Sequence, residues 1–478
     1  MRLGQTSLIH FLSHSFAAAL SFVALIYFAR ILGEEAIGNY YLVIAVVSWL
    51  KIGGRVGIAE ALVKRISEGK EQEEYLTAAI TLVALLFSVM IAGILILRGY
   101  FVSYTGIESI SLIVLMLGAA LSWSIVDAVL RGEHKVHLTG GLKPFETGTR
   151  SIAQLLLVVA GLEVVGLLIG YSVGWIIAGL LGVWYISTRI SLPSREHFEQ
   201  LFEFARYSWL GSLQGKMFNW TDVLVLGFFV GSGTVGIYSI AWTISYFLTK
   251  FSTAISSTLF PEISRLQEEG RKGEINGVIT DGLSFTGLLL IPGLVGAVTV
   301  GDRLLRLYGD SFSQGYLVFI ILTGACLFYG YQKQLLNSLN ALNRPDLSFK
   351  TNGLFLVINI SMNIALISVY GWIGAAVATT VSTVVGLLLS YRYLNQVVSI
   401  EAPYAEITRQ WIAALVMGGV VYGARAVGEE TAVAAYNEVF VVLLVGLGAG
   451  VYFLTYLASS MTFRDTVRRN LPVDVPAL

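Results

Sequence analysis

Lys51 and Arg55 stand four residues apart, so on a helix they share one face. Further along the chain, Lys216, Lys250 and Lys333 each interrupt a long apolar run. A cation in such surroundings costs about 2.5–3.5 kcal/mol to insert in a bilayer unless it meets water or a partner. What these residues offer is fixed positive charge, suited to binding a phosphate or another anion. Acids at comparable depth are fewer: Asp222 in one run, and Glu60 and Asp127 near the ends of others. A cavity lined by Lys51, Arg55, Lys216, Lys250 and Lys333 is therefore expected to be net positive. Snorkelling to the inner interface is the structural alternative for Lys250 and Lys333. Asp222, with Asn219 one turn before it, offers oxygen ligands for a coupling proton or Na+. His10 and His14, also four apart, titrate near neutral pH and form a second proton-sensing candidate.

Bond-making chemistry finds little support. There is no H-E-x-x-H and no Walker A loop; Gly211 to Lys216 has the wrong glycine spacing and runs into Met217. The single cysteine, Cys326, excludes an intrachain disulfide and a thiolate metal cluster. No catalytic residue, metal or cofactor is expected. A membrane glycosyltransferase or glycan polymerase would need paired acids, for which only Asp302 and Asp310, alongside Glu429 and Glu430, are modest candidates.

The elements that carry these residues follow from composition. Of 478 residues 55% are hydrophobic and 13% charged, with a mean hydropathy of +0.74. Soluble domains carry about 25% charged residues, so the bilayer is the solvent here. Basic and acidic residues balance at 31 each, which removes any general attraction to nucleic acid. A spanning helix takes about 20 apolar residues. Candidate spans lie near 8–32, 37–61, 75–98, 108–131, 144–162, 164–188, 203–230, 234–259, 278–300, 315–341, 348–370, 372–396, 408–427 and 436–460. An all-α integral membrane protein of about fourteen transmembrane helices is expected, because lipid tolerates no unpaired backbone. The first apolar run follows Arg2 and continues to Leu32, longer than a signal peptide, and reads as a retained helix.

Alternate loops differ in charge. One set holds Arg2, Lys64, Arg65, Lys70, Arg131, Lys135, Lys143, Arg150, Arg189, Arg195, Arg206 and a similar series to Arg469; the other holds Arg30, Arg98, Arg303, Arg306 and Arg425. The positive-inside rule puts the first set, and both termini, in the cytoplasm, with the protein multi-pass in the plasma membrane. Gly33-x4-Gly38-Asn39-Tyr40 recurs as Gly231-x4-Gly236-Ile237-Tyr238, and Val165-Gly166 echoes Ile373-Gly374. Two pseudo-symmetric six-helix lobes are expected, an N-lobe at 1–200 and a C-lobe at 201–400, with two extra helices and a cytoplasmic tail at 401–478. Four small-residue stripes, Gly53/Gly57, Gly166/Gly170/Gly174, Gly227/Gly231 and Gly446/Gly450, would let neighbouring helices approach closely. Pro292-Gly293 marks a candidate hinge.

Several segments resemble oligosaccharide flippases, the polysaccharide-transporter branch of the MOP superfamily. They are Phe28 to Tyr40, Gly57 to Arg65, Asn219 to Gly227 with Val235 to Tyr238, and Phe260 to Ser264. The resemblance implies alternating access by two lobes moving a lipid-diphosphate-linked oligosaccharide from the cytoplasmic to the outer leaflet. It also implies that the last two helices form a groove for the lipid tail. The expected partners are the lipid-linked oligosaccharide, membrane lipids and a coupling proton or Na+, with no nucleic acid, and the protein is expected to be a monomer. A basic residue at Arg55 departs from the pattern of the family it resembles. Trp209, Trp220, Trp242 and Tyr246 are candidates for stacking on sugar rings. The rival readings are a multidrug and toxin extrusion-type cation exporter, which would want acids in its cavity, and a peptidoglycan lipid II flippase.

Overall fold

The computed structural model describes residues 3–55 and 57–470, without the side chains of 3–16, 206–218, 272, 466, 467, 469 and 470. Its elements are helices throughout: α1 Leu3–Arg55, α2 Ile58–Ser67, α3 Gln72–Ile96, α4 Arg98–Thr105, α5 Ile110–Gly132, α6 Val136–Val159, α7 Glu163–Trp184, α8 Arg195–Phe229, α9 Ser232–Glu268, α10 Lys272–Leu305, α11 Tyr316–Ala341, α12 Pro345–Val397, α13 Tyr404–Glu429, α14 Asn437–Ser459 and α15 Met461–Asn470. Among the described residues, nine helices are long and apolar enough to cross a membrane.

Two of these are too long to be one span. α1 and α12 each run for 53 residues. At 1.5 Å per residue that is about 80 Å, against a hydrocarbon core of about 30 Å. Each is broken by a glycine in a conformation closed to other residues: Gly33 at φ 79°, ψ 176° and Gly371 at φ 56°, ψ −140°. Each is therefore two helices joined at one residue.

The helix ends correct the sequence reading in places. The second span stops at Arg55, because Gly57 takes a left-handed φ of 77° and starts the separate amphipathic helix α2. Gly57 is thus a turn residue rather than half of a packing stripe. Helix α6 starts at Val136 rather than 144, so Lys143 and Arg150 are helical residues and not loop charges. Helix α10 continues through Pro292, and a Cβ on Gly293 would lie 2.5 Å from Leu248 Cδ1.

The repeat has a physical counterpart. A Cβ on Gly38 would lie 1.8 Å from the Ser232 carbonyl oxygen, and one on Gly236 would lie 2.1 Å from the Glu34 carbonyl oxygen. Glu34 and Gly38 correspond to Ser232 and Gly236 in the repeat, so the two copies pack reciprocally, as a local two-fold requires. The fainter echo behaves likewise. Gly166 packs on the Leu157 backbone and Gly374 on the Leu366 carbonyl, each just after a turn glycine, Gly161 or Gly371.

The chain forms two compact units, Met1–Gly236 and Ile237–Leu478. In the first, α8 packs on α1, α2 and α3, and α6 lies along α7. In the second, α11 lies along α10 and α12, while α13 and α14 pack on each other and on α10.

Candidate functional site

In the first unit the site begins with three glycines. Helices in lipid gain nothing from hydrophobic exclusion and associate by close packing. A Cβ on Gly170 would lie 2.6 Å from the Gln154 backbone nitrogen, and one on Gly174 would lie 2.8 Å from Arg150 Cβ and 3.0 Å from the Glu146 carbonyl. The stripe Gly166/Gly170/Gly174 therefore brings α7 onto α6 almost backbone to backbone. The Gly446/Gly450 stripe does not do this, since both positions face open space. Of Gly227/Gly231, only Gly227 is packed, against Leu42 and Tyr104.

This approach sets Tyr171 and Trp175 of α7 beside Arg150 of α6. Arg150 lies 4.6 Å over the Tyr171 ring; Tyr171 and Trp175 have ring centroids 4.5 Å apart; and Lys51 of α1 lies 5.3 Å over Trp175. Two cations from different helices are thus mounted on one pair of rings, each such contact contributing about 0.5–2 kcal/mol. Glu146, one turn before Arg150, places Oε1 3.6 Å from Arg150 Nη1, and its side chain is 4% exposed against 19% for the arginine. Gln154, the next residue on the stripe, donates to Tyr40 Oη at 3.1 Å and to the Leu167 carbonyl at 2.8 Å. Arg150 and Glu146 were not picked out as site residues in the sequence. The signal was present as Glu146-x3-Arg150-x3-Gln154, a polar line on one face of a helix.

Arg55 is placed differently from Lys51. Its guanidinium pairs with Glu60, across the break at Gly57, and donates to Ser124 Oγ at 3.1 Å. Lys51 and Arg55 thus share a helix but have different partners.

In the second unit, Lys250 lies 5.5 Å over Tyr246 and Lys333 lies 6.0 Å over Tyr329, each lysine mounted on the ring four residues before it. Helical side chains lean toward the N-terminus, which produces this pairing locally. Tyr246 stands 6.4 Å from Tyr329 and stacks at 5.6 Å on Trp242. Lys333 also donates to Thr253 Oγ1 at 2.9 Å. The structure thus brings Lys250 and Lys333 into one array.

The other sequence candidates are less gathered. Asp222 is buried on α8, 5% exposed, with Asn219 one turn before it, and both have polar partners. The side chains of Lys216, Trp209, His10 and His14 lie outside the described residues. Trp220 faces Tyr41, with centroids 6.4 Å apart. Asp302 and Glu429, weighed above as catalytic acids, are bound in an ion-pair network: Arg425 donates to both oxygens of Asp302 at 2.7 and 2.8 Å, and to Glu429 at 2.9 Å. No grouping of His, Cys, Asp and Glu among the described residues could hold a metal ion.

Long apolar helices make this an α-helical membrane protein; it carries two cation–aromatic arrays, and its Asp302 and Glu429 are tied to Arg425. Residues 3–267 match the family described as polysaccharide biosynthesis protein, and the chain belongs to that family. It is 33% identical over 484 residues to the probable flippase AglR of Haloferax volcanii, covering 98% of each chain. It is 30% identical over 478 residues to the probable low-salt glycan biosynthesis flippase Agl15 of the same organism, covering 100% of each. Among solved structures, the lipid II flippase MurJ in an inward closed conformation matches with a TM-score of 0.80 at 18% identity, over 96% of this chain and 100% of that one. That likeness shows the fold.

Proposed function

We propose that this protein is a flippase that moves a lipid-diphosphate-linked oligosaccharide from the cytoplasmic to the outer leaflet by alternating access. The observation that carries the reading is the mounting of cations on aromatic rings in both units. Lys51 over Trp175 and Lys333 over Tyr329 are charges held within apolar helices. A flippase forms no bond; it must offset the charge of a diphosphate while the lipid tail stays in the membrane. Lys51, Lys216, Lys250 and Lys333 are its proposed main substrate-binding cations, with Arg55, already paired with Glu60, proposed as the weakest member of the set. Asp222 and Asn219 are its proposed ion-coupling residues, for a proton or Na+. Both relatives named above are called flippases, and one is assigned to glycan biosynthesis, which supports the same substrate class. The loop charges support cytoplasmic termini; placement in the plasma membrane and action as a monomer belong to the same proposal.

The test is movement of a fluorescent lipid-diphosphate oligosaccharide in proteoliposomes, with empty liposomes and a Lys51→Ala/Lys333→Ala double variant alongside. Wild-type movement that falls at least tenfold in an equally well reconstituted double variant is expected. Movement unchanged in the double variant would keep the function and remove the cation assignment. No movement above empty liposomes across several glycan lengths would overturn the flippase reading.

A further inference from the structure

The two arrays differ in one respect that bears on the substrate. The lysines Lys250 and Lys333 present donors only, which suits phosphate oxygens. Beside Arg150 lies a carboxylate, and a carboxylate repels a diphosphate. Glu146 Oε1 is buried and accepts no hydrogen bond, although Thr147 Oγ1 lies 3.4 Å from its Oε2. The 3.6 Å between Oε1 and Arg150 Nη1 is too long for a direct hydrogen bond. It is the right base for a triangle whose third corner is one oxygen, about 2.7 Å from the carboxylate and about 2.9 Å from the guanidinium. An oxygen that both donates and accepts is a hydroxyl.

We propose that Arg150 and Glu146 form a sugar-reading subsite in the first unit, where a hydroxyl of the glycan donates to Glu146 Oε1 and accepts from Arg150 Nη1. The neighbouring hydroxyl of the same ring would extend toward the partly exposed guanidinium edge, whose fork fits two adjacent oxygens. With Arg150 19% exposed and Glu146 4% exposed and its Oε1 closed off in this conformation, the hydroxyl would approach from the arginine side and reach the carboxylate as the two side chains part. Tyr171 is a positioning residue: its ring carries the guanidinium at 4.6 Å and fixes the plane of the fork. Gln154, bonded on both sides of its amide nitrogen, holds the same face of α6 against Tyr40 and α7. A buried site that bonds a hydroxyl discriminates strongly against a ligand lacking it, because the polar groups are then left unpaired.

This inference rests on the flippase reading, and its test separates the two. Binding to purified protein in detergent is measured for a bare isoprenyl diphosphate and for the same lipid bearing one hexose, with glucose, galactose, mannose and their N-acetyl and uronate forms assayed in parallel. Wild type is expected to prefer at least one glycosylated form by about tenfold, the worth of one well-made polar contact. Glu146→Leu, which removes the acceptor, should erase that preference without lowering bare-lipid affinity, and Arg150→Lys, which keeps a donor but loses the fork, should reduce it. Lys333→Ala should weaken both lipids alike. Arg150→Lys keeps the charge without the fork, so it remains informative should Glu146→Leu fold poorly. Equal binding of bare and glycosylated lipids by wild type would overturn the subsite alone. Unchanged preference in both variants would mean that a water bridges the pair and would overturn it too. Binding of neither lipid would overturn the flippase reading itself.

Discussion

The two units mount their cations on rings by different routes. In the second, each lysine sits over an aromatic of its own helix, Lys250 on Tyr246 and Lys333 on Tyr329. In the first, both rings come from α7, while their cations come from α1 and α6. The first arrangement is tertiary and stands only while α7 lies against α6. The other is nearly a property of the helix itself. The chemistry divides along the same line: lysines alone in one array, and an arginine with a carboxylate in the other. A bilayer protein can thus place charge either by local helical spacing or by glycine-mediated contact, and the two should fail differently.

The largest effect is expected from reversing the sign in the local array. Lys333→Glu leaves the helix and Tyr329 in place but sets a carboxylate opposite the incoming diphosphate. Transport in proteoliposomes should fall on the order of 100-fold, equivalent to about 2.7 kcal/mol of lost and reversed interaction. Thermal stability in detergent should change little. A loss under fivefold would mean that Lys333 only snorkels.

The tertiary array should break through packing instead. Gly174→Leu would force a branched side chain onto Arg150 Cβ and the Glu146 carbonyl. Destabilisation of about 2–3 kcal/mol is expected, read as a lower melting temperature and lost Trp175 fluorescence contact with Lys51. Gly446→Leu, at a position with open space around it, should stay within about 0.5 kcal/mol of wild type. Equal effects at the two sites would refute the claim that only one stripe packs.

This contrast explains what was legible in the sequence. Helix class, spans and membrane solvent follow from runs of apolar residues. The second array was half visible, because Tyr246-x3-Lys250 and Tyr329-x3-Lys333 are i, i+4 pairs that any helix brings together. The first was hidden. Arg150 lies in a segment of Gly, Thr and charged residues that reads as a loop edge until the approach of α7 is known. Gly57 is hidden for the opposite reason: the x3 spacing with Gly53 fits a packing face, yet its backbone takes a left-handed turn at φ 77°. Spacing does not reveal φ. The reciprocal contact of Gly38 and Gly236 was readable as a repeat, but the sequence could not show that the copies touch.

A smaller effect concerns what holds α6 and α7 in register from the loop side. Glu133, between α5 and α6, accepts from Lys135 Nζ at 2.7 Å, from Thr188 Oγ1 and nitrogen at 2.7 Å each, and from the Ser187 nitrogen at 2.9 Å. Burial pushes its carboxyl pKa up, but the bonds from Lys135, Thr188 and Ser187 outweigh that and hold it below the ordinary carboxylate value. A depressed folded pKa gives stability that is present above the unfolded value, about 4.3, and is lost as pH falls through the folded one. Hydrogen exchange across 185–194 should therefore stay slow at neutral pH and quicken, after correction for intrinsic rates, only below the ordinary glutamate range. Glu133→Gln should exchange faster by about tenfold at neutral pH and show no acid step. An acid step surviving in that variant would assign it to another group.

The smallest effect is expected at Arg55, and it sharpens the comparison most. Lys51 is mounted on a ring, whereas Arg55 is held by Glu60 and Ser124. A guanidinium already paired with a carboxylate has little charge left for a diphosphate, and its side chain is only 16% exposed. Arg55→Gln should therefore lower transport by no more than about threefold, while Lys51→Gln lowers it by about tenfold. Stability should respond in the opposite order, because removing Arg55 leaves the Glu60 carboxylate half-buried and unpaired. The decisive variant is Glu60→Gln. With Arg55 serving mainly to anchor α2 across the Gly57 break, releasing it should cost stability by about 1 kcal/mol and leave lipid-diphosphate affinity within twofold. A several-fold gain in affinity would instead show that Glu60 masks a competent anion site, and Arg55 would rank as an equal of Lys51 among the substrate cations.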